Sequence, residues 1–287
     1  MAIFWALFCG FSFGLGDTLT RLGVRSGTPF TGAVIISFTI SLAFLFPAFG
    51  RLTGAELRWP AMAWFLLTGI AATGPGRILY YFSVRRIGVS RASILASFTP
   101  LAGMLIAVVF LGERPSAYVV IGAFLVVGGI LGVITDRSGV RILPLAALLG
   151  LLPTLFFSLT PVFIRLGMQS LPDAILGTFV SSLGALAFVL SVQKVIPPGD
   201  RWSADRRAFL LFLGSGVCYT SAFFAFYKAL GMETVSFVVP LVYTSPFFSI
   251  SISRILFQHL ERISWRLVAG AVAVFLGVVF VTLSRGG

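Results

Sequence analysis

The sequence predicts an all-α integral membrane protein whose ten transmembrane helices form two inverted five-helix repeats. Three observations predict it. The 287-residue chain is 58% hydrophobic and only 10% charged, with a mean hydropathy of +1.03, too apolar for the polar surface a soluble domain needs. Its apolar runs are long enough to span, since about 30 Å of hydrocarbon takes about 20 helical residues. The stretch from Arg77 to Ile134 also comes back, altered, at Ser221 to Leu283, which marks an internal duplication.

Taken in order, the spans read 3–23, 31–49, 60–84, 89–110, 117–135, 142–167, 174–193, 206–230, 234–257 and 265–284. A transmembrane barrel is excluded because its strands would alternate apolar and polar positions. The first span has no basic leader and no clean small-residue cleavage site, so it reads as a retained helix and not a signal peptide. The first repeat is 1–136 and the second 142–287, joined by the polar stretch Asp136 to Arg141. Arg21, Leu22 and Gly23 answer Arg165, Leu166 and Gly167, and Phe13 answers Phe157. Five is odd, so the second repeat enters the membrane from the side opposite to the first. Such inverted repeats place a substrate site near the midplane and support alternating access by rocking of one half against the other.

Span three contains Gly74, Pro75 and Gly76, span four Pro100, span six Pro153 and Pro161, and span nine Pro240 and Pro246. Proline removes a helical hydrogen bond and clashes with the preceding turn, so kinks are expected there. Irregular backbone at membrane depth is tolerated where it faces protein or a water-filled cavity, which points to these spans as the pathway. Gly122, Gly128, Gly129 and Gly132 in span five, with Gly270 and Gly277 in span ten, predict close helix packing.

Charges inside spans are expensive and therefore functional candidates. Asp17 is the acid inside a span; it reads first as a same-face pair with Arg21, four residues on, and alternatively as a receptor for a proton or a cation. Arg77 reads equally as a site for a substrate carboxylate or phosphate and as a side chain snorkelling to the interface. Lys228, near a helix C-terminus, reads as structural or gating. Aromatic candidates for substrate contact are Phe13, Tyr81, Phe157, Tyr219, Phe223, Tyr227 and Tyr243, with Tyr80 beside them and Ser97 as a polar contact.

No catalytic constellation is visible: the single His259 is far in sequence from Cys9 and Asp17. Cys9 and Cys218 match no metal spacing and read as packing residues, and no glycine loop with its lysine would cradle a phosphate. The chain thus reads as a non-enzyme with no metal or cofactor. The net charge of +12 comes from basic residues at helix ends, which suits lipid headgroups and topology and not nucleic acid.

These features resemble the drug/metabolite transporter superfamily, specifically its ten-span EamA-like members. The most specific parts are Leu111, Gly112 and Glu113 with Gly122, their echo Leu260, Glu261 and Gly270, and the prolines Pro100 and Pro246. Arg21 and Arg165 at the ends of spans one and six also fit. The span-one Trp-Gly pair of such proteins is Phe13-Gly14 here, and His259 stands where a Gly is expected. The essential Glu of the small multidrug relatives falls near Phe13, with Asp17 one turn later as a substitute. The resemblance implies secondary transport of small metabolites through a cavity lined by spans one, three, four, six, eight and nine. It also implies that Glu113 and Glu261 tie loops to helix ends.

The expected activity is therefore alternating-access transport of an amino acid or similar amphipathic solute across the cell membrane. Coupling would be to protons or a counter-transported solute, and the protein would be a monomer or homodimer in the bilayer. Export of cationic or aromatic drugs is the alternative, with lipid flipping behind it. Lys and Arg are concentrated in the loops after odd spans, which by the positive-inside rule puts both termini outside, whereas the resemblance implies termini inside.

Overall fold

A computed structural model describes residues 1–52, 58–87, 95–135, 144–256 and 265–284. The Asp136–Arg141 linker, His259 and Glu261 lie outside the described residues, as does the side chain of Tyr81. The described elements are α1 (Ala2–Gly23), α2 (Pro29–Leu52), α3 (Trp59–Leu67), a π-helical turn (Thr68–Thr73), α4 (Gly74–Ile87), α5 (Thr99–Leu111) and α6 (Ala117–Thr135). The second repeat follows with α7 (Pro144–Ser170), α8 (Ala174–Ser191), α9 (Arg206–Met232), α10 (Val235–Val242), α11 (Ser245–Leu256) and α12 (Trp265–Leu283). Five of these, α1, α2, α7 over its Gly150–Ser170 part, α8 and α9, are long and apolar enough to cross a membrane alone. The other spans are shorter apolar helices or helices interrupted midway, and the whole is the ten-span, two-repeat architecture.

The helix starts follow local chemistry. Asp173 Oδ1 accepts from Ile175 N at 2.9 Å and Leu176 N at 3.1 Å to open α8, and Asp205 Oδ1 accepts from Ala208 N at 2.6 Å to open α9. That Ala208 bond holds the Asp205 carboxyl below the usual range, so the cap is present at neutral pH and fades as pH falls through the lowered value. Gly112, at φ 66°, ends α5 in the left-handed region that glycine tolerates.

The breaks fall where the backbone loses donors. In span three, Gly74 N reaches back to Gly69 O, the wider π register, just ahead of Pro75. Span four turns at Ser97 and Phe98, with Pro100 second in the helix that follows, and span nine turns at Tyr243 and Thr244, with Pro246 second in the helix that follows. Pro153 and Pro161 leave span six unbroken: both lie inside one continuous helix, α7, because an interior proline removes a single bond while the neighbouring turns keep theirs.

The two broken spans are covered by equivalent helices. Thr154 Oγ1 donates to the Leu95 carbonyl at 3.0 Å and Ser158 Oγ to the Thr99 carbonyl at 3.2 Å, so α7 supplies hydroxyls to the break in span four. On the repeat-related side α1 carries glycines instead. A Cβ on Gly10 would lie 2.9 Å from the Val242 carbonyl oxygen, and one on Gly14 2.7 Å from that of Ser245. In both places the irregular backbone faces protein.

Packing exchanges partners between repeats. Helix α1 packs on α9, α10 and α11, whereas α7 packs on α3, α4 and α5. The closely packed groups of helices therefore draw on both sequence halves. Each first helix joins the third and fourth spans of the other repeat. Spans five and ten pair through small residues as expected: a Cβ on Gly122 would meet Gly277 O at 2.6 Å, and one on Gly129 would meet Gly270 O at 2.6 Å.

Candidate functional site

The largest core cluster, with Met62, Phe65, Met104, Ala107, Val162, Met168, Leu176, Tyr227, Leu230, Val235 and Val238, seals the bundle toward the end where α5, α7 and α9 terminate. Polar ties reinforce that end. Glu113 Oε1 accepts from Val235 N at 2.7 Å, and its Oε2 accepts from Ser236 N at 2.8 Å and Ser236 Oγ at 2.6 Å. The carboxylate thus sits on the N-terminus of α10, where free N–H groups and the helix dipole favour it. Arg165 Nη1 donates to the Leu230 carbonyl at 2.6 Å near the end of α9, and Arg51 pairs with Asp173 at 2.7 Å.

Beyond this seal the helices hold a polar cluster. On α1 the stripe Gly10, Gly14, Thr18 is buried against the span-nine break, and the adjacent stripe Phe13, Asp17 is half-buried toward the bundle centre. Gly16 lets the Tyr219 ring of α9 lie on α1, since a Cβ there would be 3.0 Å from it. Ser215 Oγ donates to Gly16 O at 2.8 Å and lies 2.7 Å from Thr20 Oγ1, fixing the same pair of helices. Held this way, the Tyr219 hydroxyl donates to Asp17 Oδ1.

This corrects the pairing expected from spacing alone. Asp17 takes its direct hydrogen bond from Tyr219, while Arg21 is exposed at the end of α1 and acts on Asp17 only through its charge. Two side chains on one helix face have no advantage over a hydroxyl that tertiary packing places against the acid.

Arg77 emerges in the first turn of α4, directly after the π-turn and the Gly-Pro-Gly break. Its Nη1 donates to Ser37 Oγ of α2 at 3.2 Å, and its guanidinium lies over the Tyr219 ring, 5.6 Å from the centroid. It also acts on Asp17 through charge. Arg77 is half-buried and turned to this cluster, which makes it a group of the centre and not a snorkelling residue.

Aromatic residues wall the cluster. Phe13 meets Tyr219 at 5.5 Å and Phe223 at 5.2 Å between centroids, and Tyr80 meets Phe157 at 6.4 Å. Tyr243 lies in the span-nine break, and α10, which leads into that break, packs on α5, which follows the break in span four. Ser97 is buried in the span-four turn. Lys228 lies over the Phe224 ring at 5.7 Å, apart from the cluster. Ser37 is not a candidate by sequence; a lone hydroxyl in an apolar helix gives no signal that it faces a charge.

Tyr227 is a second correction. It is fully buried, packs on Phe65 at 5.7 Å and fills the space against Gly177. Its hydroxyl faces Thr68 and Ser181 without closing a hydrogen bond to either. It belongs to the seal and not to the solute-facing wall. Because an unmatched buried hydroxyl destabilises by about 1–3 kcal/mol, Tyr227→Phe is expected to leave the thermal unfolding midpoint in detergent unchanged or raised. A clear fall in that midpoint would show a hydrogen bond there after all.

The model for the EamA-like transporter family matches residues 1–135 and again 144–283. No curated protein matches the chain by sequence. A solved crystal structure is similar over 97% of this chain and 96% of its own, with a TM-score of 0.78 at 20% identity, a likeness of fold. The duplicated match, the ten-span bundle and the charged centre between repeats agree: this chain belongs to the EamA-like transporter family, a group of multi-pass membrane transporters.

Proposed function

We propose that the protein is a secondary transporter of the cell membrane that moves a small amphipathic metabolite, such as an amino acid or related compound, by alternating access. The observation that carries this reading is the Asp17–Tyr219–Arg77 cluster. It joins two charged side chains from helices of different packed bodies, α1 with α9 on one side and α4 on the other. A charge at this depth is retained against its desolvation cost where it meets a solute or a coupling ion.

The moving bodies in this reading are α1 with α9–α11 and α3–α5 with α7. The sealed end is the one carrying Glu113 and Arg165. By the distribution of Lys and Arg the opposite end faces the cytoplasm. Coupling is to protons or to an exchanged solute. Cationic-drug export is disfavoured because it needs a free acid, and Asp17 is occupied by Tyr219 with Arg21 and Arg77 acting on it.

The test is flux into proteoliposomes across a panel of amino acids, carboxylates, amines and sugars. At least one solute is expected to show saturable uptake that Asp17→Asn lowers at least about tenfold, as loss of a charge-assisted hydrogen bond implies, without lowering the unfolding midpoint. Absence of saturable flux for every solute would sink the transport reading.

A further inference from the structure

We infer that the solute is held by a carboxylate docked on Arg77, so that the substrate class is a monocarboxylate with an apolar or aromatic body. The inference rests on the reading above in taking this cluster as the solute site. A guanidinium carries five N–H donors. Among the described residues Arg77 makes one side-chain hydrogen bond, to Ser37 Oγ, and shows its face to Tyr219. The ion pair within 4.0 Å among those residues is Arg51–Asp173, at the sealed end, so no carboxylate among the described residues pairs with the fork of Arg77. A half-buried guanidinium at membrane depth with donors to spare is matched by the planar, bidentate geometry of a carboxylate.

The neighbouring acid does not fill that role, and Tyr219 is the reason. Its hydroxyl holds Asp17 while its ring lies under the Arg77 guanidinium, so the tyrosine stands between the two charges. The walls beyond are Phe13, Phe223, Tyr80 and Phe157, which suit an apolar body and provide no acid of their own for a substrate amine.

The test uses the full chain in detergent, reading its unfolding midpoint, because a ligand of the folded state raises it. The probes are acetate, phenylacetate and indole-3-acetate, the matching amides and amines, phenyl phosphate and phenylalanine. The carboxylates with ring bodies are expected to stabilise the protein and their amides and amines not to. Phenylalanine is expected to bind no more tightly than phenylacetate. Arg77→Gln should weaken carboxylate binding at least about tenfold, the loss of a charge-assisted contact; Arg77→Lys should restore part of it, which a merely structural arginine would not.

Stabilisation by amines, or by phenylalanine alone and dependent on Asp17, overturns the assignment, as does preference for phenyl phosphate or no effect of any carboxylate. If Arg77→Gln unfolds the protein, Ser37→Ala, which removes only the support of the guanidinium, is expected to weaken phenylacetate several-fold, and an unchanged affinity overturns the assignment. Carboxylate binding through Arg77 without flux in proteoliposomes would leave this site standing while the transport reading fails. Flux confined to amines or neutral solutes would do the reverse.

Discussion

Gly69→Ala is expected to lower the unfolding midpoint sharply and to reduce the yield of folded protein. Gly69 sits in the π-turn of span three, and a Cβ there would lie 2.1 Å from Ser181 O and 2.5 Å from Ala185 N. Both are backbone atoms of α8, so no side-chain rotation relieves the overlap; the helix itself has to move. Overpacking of this kind destabilises by about 1–3 kcal/mol, occasionally more. The matched control is Gly128→Ala on α6, where a Cβ meets nothing within 4 Å and alanine is the better helix former. Unfolding midpoints of the two variants in the same detergent decide the matter. Equal midpoints would mean that α3, the π-turn and α8 are not in backbone contact. The same overlap also explains why the π-turn abuts α8 at a glycine: the widened turn pushes backbone outward at the level where α8 crosses.

Glu113→Ala is expected to have the second large effect, a loss of about 2–3 kcal/mol. The substitution leaves Val235 N, Ser236 N and Ser236 Oγ without their acceptor at the start of a helix of only eight residues, too short to hold its shape without its cap. Glu113→Gln keeps one acceptor oxygen but no charge toward the helix dipole, so an intermediate loss is expected. Hydrogen exchange of the 235–242 segment measures this directly: faster exchange there in Glu113→Ala, with little change in α1, is the expected pattern. Unchanged protection would show that α10 is held by its apolar packing alone. Because Glu113 joins α5 to α10, the variant should also make a cysteine introduced at the sealed end more reactive toward water-soluble thiol-reactive probes.

Much of this architecture is legible in the residues. Runs of apolar side chains give the spans, because hydrocarbon satisfies no backbone group and each crossing has to be a helix of fixed minimum length. The prolines mark all three breaks to within a few residues, since Pro75 follows the π-turn and Pro100 and Pro246 each come one residue after the turn that interrupts the span. Pro161 looks the same in sequence and breaks nothing. A missing hydrogen bond permits a break but does not compel one. The family likeness too is readable, through Leu111, Gly112 and Glu113 and their echo.

The sequence by itself thus determined class, repeat, number of spans and the residues that bring charge to membrane depth. Helical periodicity and the thickness of hydrocarbon act on each segment alone, so a segment's own residues are enough to read them. Only the tertiary structure decided the partners. Asp17 meets Tyr219, 202 residues away, and not Arg21 on its own helix; Tyr227 turns into the seal while Tyr219, two turns earlier, turns to the charged centre. The first helix of each repeat joins the other repeat. Periodicity tells which residues share a face but not which helix that face will meet. In a membrane, where lipid is as apolar as a leucine, that choice falls to close fits such as Gly16 on Tyr219 and Gly10 on the Val242 carbonyl.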